Sequence, residues 1–349
     1  MVELVKAGHD VAWWNRSPAT LEPFQRIGGV EYEGVQGEGV VRPNLITHEI
    51  DAVIPGAAAV VCTLPTFSHA PVAVALARAG LGSTVPVVLN PGHTGGALEF
   101  RHAFRSVLGV DPCVVECSTL TYVARKHAPQ KVTTTGRAKR VRVAAMPGAE
   151  AALAIAQALF PGLEVQSDVL ATSLSNVNMV LHAPGAVLGA TWVEAKGGDF
   201  TFYVEGMTPG VGRVMRALDD ERRAVARAFG HELPDLIEEM QRIGTVEATV
   251  QDTSDFPAAI AGGEANRRIK APGSLEHRYY KEDFGHGLLP FLELAAIAGE
   301  PVPTASALFE LAQRLTGNDY RLHGRTASAM GIAGLDRRAL VRLVRGQSE

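Results

Sequence analysis

Cysteine is scarce in this sequence, with Cys62, Cys113 and Cys117 as the three examples among 349 residues. So few thiols in so long a chain argue against a disulfide framework and favour a reducing, cytoplasmic compartment. Cys113 and Cys117 lack further His or Cys partners nearby that would complete a zinc site, and no pair of histidines lies four residues apart. We therefore predict no metal site.

An excess of positive charge and a long apolar run are also absent. Lys and Arg number 33 against 37 for Asp and Glu, so no nucleic-acid partner is expected. No run of about 18 apolar residues occurs, which predicts no spanning helix and no membrane partner. No secretory leader is visible. The 46% apolar and 20% charged composition indicates a globular chain with room for two domains.

A glycine-rich phosphate-binding loop, G-x-G-x-x-G, is missing where one is expected. Residues 2–16 have the pattern of a helix end, a turn at Gly8 and a strand that ends at Asn15 and Arg16. That is the second half of a nucleotide-binding βαβ unit, whose first strand and loop would lie just before Met1. We expect an N-terminally truncated dinucleotide-binding domain over residues 1–167, with two strands left without their common neighbour.

Short apolar runs alternate with helical segments in the first half of the chain. The runs at 58–64, 85–89 and 113–116 predict a Rossmann-type doubly wound α/β sheet, mainly parallel and covered on both faces. Residues 131–135 and 141–145 predict an antiparallel pair. Strand signals fade near residue 170, and helical periodicity follows. We therefore predict an all-helical substrate and catalytic domain over residues 168–349, with helices at 219–229, 233–243, 304–315 and 337–344.

His182 is the strongest candidate for chemistry. Asn178 and His182 are four residues apart on a predicted helix, so they share a face. Pro184 is expected to disrupt that helix just beyond, which would hold His182 near a break. A histidine in such a place can exchange a proton near neutral pH. The alternative is a hydrogen-bonded core histidine.

A second candidate segment covers residues 277–287. Arg278 has the two-pronged donor set that grips a substrate carboxylate. Asp283 has the chemistry to fix the tautomer of a catalytic histidine and to stabilise its charged form. His286 is a second candidate proton carrier, although flanking glycines anchor it poorly. The alternative for the whole segment is an exposed charged loop.

Strand ends supply the candidate cofactor contacts. Asn15 and Arg16 follow the second strand, where an arginine favours the extra phosphate of NADP over NAD. Leu64 and Pro65 end the next apolar run. Residues 89–96 form a glycine-rich loop after a strand, beginning with Asn90 and Gly92, and such a loop faces the binding crevice of an open α/β sheet. A surface arginine and a structural turn are the alternatives.

Several collinear motifs carry a resemblance to a known family. They are LNPG with GGALEF at 89–100, SNVN with His182, YVEGMTP at 203–209, RYYKED at 278–283 and GRT at 324–326. With these motifs the chain resembles the opine dehydrogenase family, the NAD/NADP octopine and nopaline dehydrogenases. The resemblance does not extend to the N-terminal end of the sequence, where no residue matches the family's glycine-rich loop.

The resemblance implies an NAD(P)-dependent oxidoreductase with a C-terminal domain like that of 6-phosphogluconate dehydrogenase. It implies reductive condensation of an amino acid with a 2-keto acid, both small molecules. His182 then matches the catalytic histidine, Asp283 its partner acid and Arg278 the carboxylate-binding arginine, with Asn178 beside them at the substrate. Homodimerisation is left open. The alternatives are a ketone or 2-hydroxy acid reductase of related architecture, which would rely on lysine, and a non-catalytic degenerate binding protein.

Overall fold

The computed structural model describes residues 1–263 and 266–347. Its strands are β1 Ala12–Trp14, β2 Val30–Gly34, β3 Gly39–Val41, β4 Leu45–Thr47, β5 Val60–Cys62, β6 Val87–Leu89, β7 Val114–Cys117, β8 Tyr122–Ala128, β9 Lys131–Arg137, β10 Val141–Ala145 and β11 Leu163–Val165. Its helices are α1 Val2–Lys6, α2 Pro18–Ile27, α3 His69–Arg78, α4 Gly96–Leu108, α5 Ala152–Leu159, α6 Val169–Ser173, α7 Val177–Leu188, α8 Ala190–Lys196, α9 Pro209–Ala228, α10 Leu236–Ile243, α11 Phe256–Gly262, α12 Arg278–Asp283, α13 Leu289–Ala298, α14 Pro303–Thr316, α15 Tyr320–His323 and α16 Arg337–Arg345.

The central sheet has five strands in the order β11-β10-β7-β6-β5. β5, β6 and β7 are parallel, whereas β10 is antiparallel to β7. Side chains alternate between two apolar clusters: Val87 and Leu89 pack with α3 and α4, and Val88 packs with α5 on the opposite face. The predicted α/β class, with a sheet covered on both faces, is therefore confirmed.

β1 lies outside the central sheet and pairs in parallel with β4. In the part of the chain that the structure describes, no strand pairs with the second edge of β1 or with the outer edge of β5. Both strands end at residues predicted to face a cofactor, Asn15 after β1 and Leu64 after β5.

A second sheet, in the order β3-β2-β9-β8, shows that one strand pairing was predicted wrongly. Residues 131–135 and 141–145 do not pair with each other. β9 pairs with β8 across the short Pro129–Gln130 connection and, on its other edge, with β2. β10 pairs instead with β7 and β11. The nearest strand along the chain offers β9 a hairpin partner, which the apolar pattern alone did not reveal.

Beyond residue 168 the described residues form helices, with one isolated bridge between Thr201 and Lys270. α9 begins ten residues earlier than its predicted start at Asp219, because Thr208 caps it by accepting from the Val211 amide. Asp219 is buried against Arg222 at 2.8 Å rather than lying in a first turn. The division at residue 167 stays a prediction. No helix of the described residues is long and apolar enough to cross a membrane.

α7 also corrects an expectation, because Pro184 does not disrupt it. The helix continues through Pro184 to Leu188. A proline inside a helix removes one backbone hydrogen bond and crowds the preceding turn. Here α7 is buried along nearly all its length, packed by α9, α12 and α14, and that tertiary packing keeps the helix continuous. His182 therefore lies in mid-helix.

Candidate active site

His182 lies at the centre of a buried polar group, with both ring nitrogens engaged. Its Nδ1 lies 2.9 Å from Asp283 Oδ2, and its Nε2 lies 2.7 Å from the Tyr203 hydroxyl oxygen. His182 is 7% exposed and Asp283 is 4% exposed. The structure thus brings together a histidine and an acid 101 residues apart in the chain. We call this pair the dyad.

Aromatic rings fix the orientation of the His182 imidazole. The Tyr279 ring stacks on it with centroids 4.0 Å apart and planes 14° from parallel, and Phe202 contacts it edge-on. Tyr279 and Asp283 are four residues apart on α12, so one short helix supplies both the stacking ring and the carboxylate. The hydroxyls of Tyr203 and Tyr279 are 3.3 Å apart. The Tyr279 stack and the Phe202 edge contact together fix the plane of the imidazole.

Burial sets the protonation of the groups around His182. Burial raises the pKa of Asp283, and the adjacent His182 acts in the opposite direction. Burial also raises the pKa of Tyr203 well above its ordinary value, so its hydroxyl stays neutral. With an ionised Asp283 accepting from Nδ1–H, Nε2 of the neutral ring accepts from the Tyr203 hydroxyl. A proton gained at Nε2 would reverse that bond.

Arg278 and Asn178 lie beside the dyad. Arg278 opens α12 with an exposed side chain. Burial is the main cause that lowers the pKa values of His93 and His277, and the charge of Arg278 adds to it. At Glu282, where burial acts to raise the pKa, the charge of Arg278 is one of the causes that lower it. Asn178 is half-buried one turn before His182 on α7, and its side chain forms no hydrogen bond with a described residue. Both side chains are free to contact a ligand. Their binding roles stay predictions.

Glu282 joins α12 to the end of β5. Its Oε1 accepts from the Thr66 amide at 2.9 Å and from the Thr66 hydroxyl at 3.1 Å. Burial acts to raise the Glu282 pKa, but His93, Thr66 and Arg278 together bring it below the ordinary value. This contact places the segment after Leu64 and Pro65 next to the helix that carries Asp283. Leu64 and Pro65 themselves are half-buried.

Glu116, at the end of β7, lies beneath the glycine loop of residues 90–96. Its Oε2 accepts from the Ala97 amide at 2.7 Å, and its Oε1 accepts from the hydroxyls of Thr172 at 2.6 Å and Ser173 at 2.8 Å. A Cβ added at Gly92 would lie 2.5 Å from Glu116 Oε2. Glycine at position 92 is therefore required by the buried carboxyl beneath it.

Asn90 also contributes to the architecture of the loop. Its side-chain amide donates to Thr121 Oγ1 at 2.8 Å, and its Oδ1 accepts from the Thr121 amide at 3.1 Å. Both ends of the amide are therefore occupied within the protein. The structural-turn alternative accounts for Asn90 and Gly92, and their contact with a cofactor stays a prediction.

Arg325 fastens the C-terminal region to the glycine loop. It is fully buried and pairs with Glu99, whose Oε2 lies 2.8 Å from Nη2. Its guanidinium also donates to the carbonyls of Thr94 at 2.6 Å and Thr66 at 3.1 Å. One side chain thus holds the loops that follow β5 and β6 at a fixed separation.

His93 is strained and incompletely paired. Its φ of 57° is in the left-handed region, which is costly for a residue with a side chain. The ring is buried, and its Nε2 has no hydrogen-bond partner among the described residues. Burial, with the charges of Arg325, His182 and Arg278, lowers the His93 pKa to about 4 despite the opposing effect of Glu282. The glycine loop thus carries a buried, neutral imidazole whose pKa is influenced by the charge of His182.

The remaining candidates are placed apart from the dyad. Asn15 Oδ1 accepts from the Ser17 amide at 2.9 Å, while Arg16 is exposed and pairs with no described residue. His286 lies in a π-helical turn, Phe284–Leu288, and makes no bond to His182 or Asp283. Burial and Arg325 lower its pKa to about 3. No metal-binding cluster of His, Cys, Asp or Glu occurs among residues 1–263 and 266–347.

Sequence reasoning missed the partners that complete this site. Tyr203, Tyr279 and Arg325 all lie in the motifs that carried the family resemblance, but their roles depend on contacts distant in sequence. Glu116 had a local signal, since it is a lone acid in the apolar run Val114–Cys117. A charged residue in a fully buried strand requires partners, which only the fold supplies.

Residues 165–316 match the family described as NAD/NADP octopine/nopaline dehydrogenase, alpha-helical domain. An opine dehydrogenase from Arthrobacter sp. (strain 1C) is 32% identical over 335 residues, which cover 95% of this chain and 91% of that protein.

Solved structures share the fold. Octopine dehydrogenase with NADH and L-arginine superposes with a TM-score of 0.76 at 21% identity, covering 100% of this chain and 94% of that one. Yersinopine dehydrogenase with NADP+ superposes with a TM-score of 0.66 at 16% identity, covering 96% of this chain and 91% of that one.

Proposed function

This chain belongs to the opine dehydrogenase family of NAD(P)-dependent oxidoreductases, and we propose that it condenses an amino acid with a 2-keto acid, with NADH or NADPH as the reductant. The amine and the keto acid form an imine, which is reduced to a secondary amine. The sum consumes one keto acid, one ammonium group, one hydride and one proton, and it releases one water and the protonated secondary amine. The proposal concerns the two substrate classes, and the shape of the pocket selects the particular amino acid and keto acid.

The residues at the strand ends fit a dinucleotide. Ligands of open α/β sheets bind outside the carboxyl ends of the parallel strands. Here Arg16, whose exposed guanidinium pairs with no described residue, follows β1, and the half-buried Leu64 and Pro65 follow β5. Arg16 would hold the extra phosphate of NADP, which supports NADP over NAD, and Leu64 and Pro65 would face the nicotinamide end. The bound cofactor supplies the hydride.

His182 carries the proton transfers. An amine attacks a keto carbon only when deprotonated, and the carbinolamine then loses water only when its hydroxyl is protonated. His182 Nε2 takes the first proton and returns it to the leaving hydroxyl. Asp283, 2.9 Å from Nδ1, stabilises the imidazolium between these two steps. For this transfer, either the Tyr203 hydroxyl releases its hydrogen bond to Nε2 so that the reactants can reach this nitrogen, or the proton passes through the hydroxyl.

Arg278 and Asn178 position the reactants. The exposed guanidinium of Arg278 anchors the keto-acid carboxylate, and Asn178, one helical turn from His182, contacts the substrate. Because both reactants are held within reach of one proton carrier, the bimolecular reaction becomes effectively unimolecular.

The His182–Asp283 contact, buried within this family's fold, is the observation that carries the proposal. The test follows oxidation of NADH and of NADPH with 2-keto acids, with and without amino acids, and identifies the product by mass spectrometry. We expect oxidation to require both reactants and to yield a secondary amine. Oxidation with keto acid alone, yielding a hydroxy acid, would instead establish a ketone reductase. Cofactor binding without turnover would establish a binding protein.

Arg278→Ala tests the anchor separately. We expect the KM for keto acid to rise about tenfold or more, because a charge-assisted, two-pronged contact is lost. The KM for NAD(P)H should change little. A rise confined to the cofactor KM would assign Arg278 to the cofactor instead.

A further inference from the structure

A cleft outside the candidate active site lies between the end of α9 and α16. Its volume is about 530 Å³, and it is open to solvent. Phe229 and Val341 contribute apolar surface to its wall. None of the residues that line it belongs to the dyad, the glycine loop or the strand ends described above.

Four arginines line this cleft: Arg227, Arg337, Arg338 and Arg342. No acidic residue is among the described lining residues. None of the four side chains forms a hydrogen bond or an ion pair with any described residue. This concentration of positive charge is unusual in a chain whose formal net charge is -4. We name it the arginine cleft.

The buried arginines among the described residues are paired with acids, and so is the partly exposed Arg345. Arg142 pairs with Glu239 at 3.0 Å, Arg325 pairs with Glu99, and Arg345 on α16 itself pairs with Asp168 at 2.8 Å. The arginine cleft differs from these sites because four arginines line it and none of its described lining residues is acidic. Like charges gathered in one concavity repel, and a bound anion removes that repulsion.

We propose that the arginine cleft binds a compact polyanion, of the triphosphate or tricarboxylate class. The planar fork of a guanidinium matches phosphate and carboxylate oxygens two at a time, so four of them favour a ligand with several negative charges. No aromatic face is exposed in the cleft, since Phe229 is 2% exposed. The recognition is therefore of the anionic groups and not of a stacked base. This binding does not depend on the proposed reaction.

Isothermal titration of the full chain with inorganic tripolyphosphate in 150 mM salt tests the proposal. The decisive variant is Arg338→Ala/Arg342→Ala. The matched control is Arg213→Ala/Arg314→Ala, which removes the same charge from exposed positions on α9 and α14. Circular dichroism melts confirm that both variants are folded. Citrate and sulfate serve as the tricarboxylate and single-anion comparisons.

We expect a site at which tripolyphosphate binds at least tenfold more tightly than sulfate. Its affinity should fall at least tenfold in Arg338→Ala/Arg342→Ala and by less than twofold in the control. Because a cofactor site also accepts phosphates, only binding that depends on Arg338 and Arg342 counts for the cleft. Absence of such binding, or equal losses in both variants, would overturn the proposal.

Discussion

The surroundings of His182 and the layer beneath the glycine loop both bury ionisable side chains, but they pair them differently. The dyad has one hydrogen bond at each ring nitrogen, and one of these partners is a neutral hydroxyl that can turn. Glu116 and Arg325, in contrast, are surrounded by fixed amides, carbonyls and hydroxyls. The first arrangement leaves a proton free to move, whereas the second fixes the position of backbone. We infer that one region performs chemistry and the other supports it.

Replacing His182 tests this comparison most severely. We expect His182→Ala to lower kcat by about 10²- to 10⁴-fold, the usual contribution of a positioned proton carrier. The measurement is steady-state oxidation of NAD(P)H with saturating keto acid and amino acid. His323→Ala, the same substitution at an exposed histidine, should leave kcat unchanged. Full turnover by His182→Ala would remove the dyad from the mechanism.

Arg325→Met should affect stability more than any change at the dyad. The substitution leaves Glu99 buried without its partner, and breaking a buried pair costs about 3–5 kcal/mol. Urea unfolding of Arg325→Met and of Glu99→Gln/Arg325→Met measures the loss. The double variant should recover part of it, because no lone charge remains. A loss below about 1 kcal/mol in the single variant would contradict the fastening role.

Glu116→Gln should change how stability depends on pH. Burial raises the Glu116 pKa to about 7 from an ordinary 4.5, although Thr172, Ala97 and Ser173 lower it. A carboxyl with a raised folded-state pKa favours folding below its unfolded pKa and loses that contribution as pH rises through the folded pKa. As the pH rises from 4.5 to 7, the unfolding free energy of the wild type should therefore fall by about 3 kcal/mol relative to that of Glu116→Gln.

Denaturation of both proteins at pH 4 and pH 8 measures that difference. Other titrating groups are common to the two proteins and cancel when the unfolding free energies are subtracted. A difference that does not change with pH would mean that Glu116 titrates at its ordinary pKa, and the layer beneath the loop would then be more hydrated than the structure indicates.

Tyr203→Phe is expected to have the smallest effect of the four. It removes the hydroxyl from His182 Nε2 and leaves the Tyr279 stack and the Asp283 contact in place. We expect kcat to fall about tenfold, the value of one hydrogen bond to a charged group, with an altered pH–rate profile and an unchanged KM. A loss equal to that of His182→Ala would make Tyr203 the proton donor itself.

Local patterns were enough to predict many elements. The three parallel strands of the central sheet and helices such as α10, α14 and α16 follow local apolar patterns that need no distant partner. The start of α9 and the continuity of α7 through Pro184 were missed, because a threonine cap and a buried environment outweighed the acids and the proline that the sequence displays. The pairing of β9 with β2 joins residues about 100 apart and left no local signal.

The sequence by itself determined the α/β-then-helical order, the family, and the residue types with the chemistry for proton transfer and carboxylate binding. Tertiary structure alone decided that Tyr203 meets His182, that Glu116 lies beneath Gly92 and that Arg325 spans two loops. The reason is physical. Periodicity and motif spacing are properties of neighbouring residues, whereas burial, which sets pKa values and requires partners for charges, exists only once distant segments have packed together.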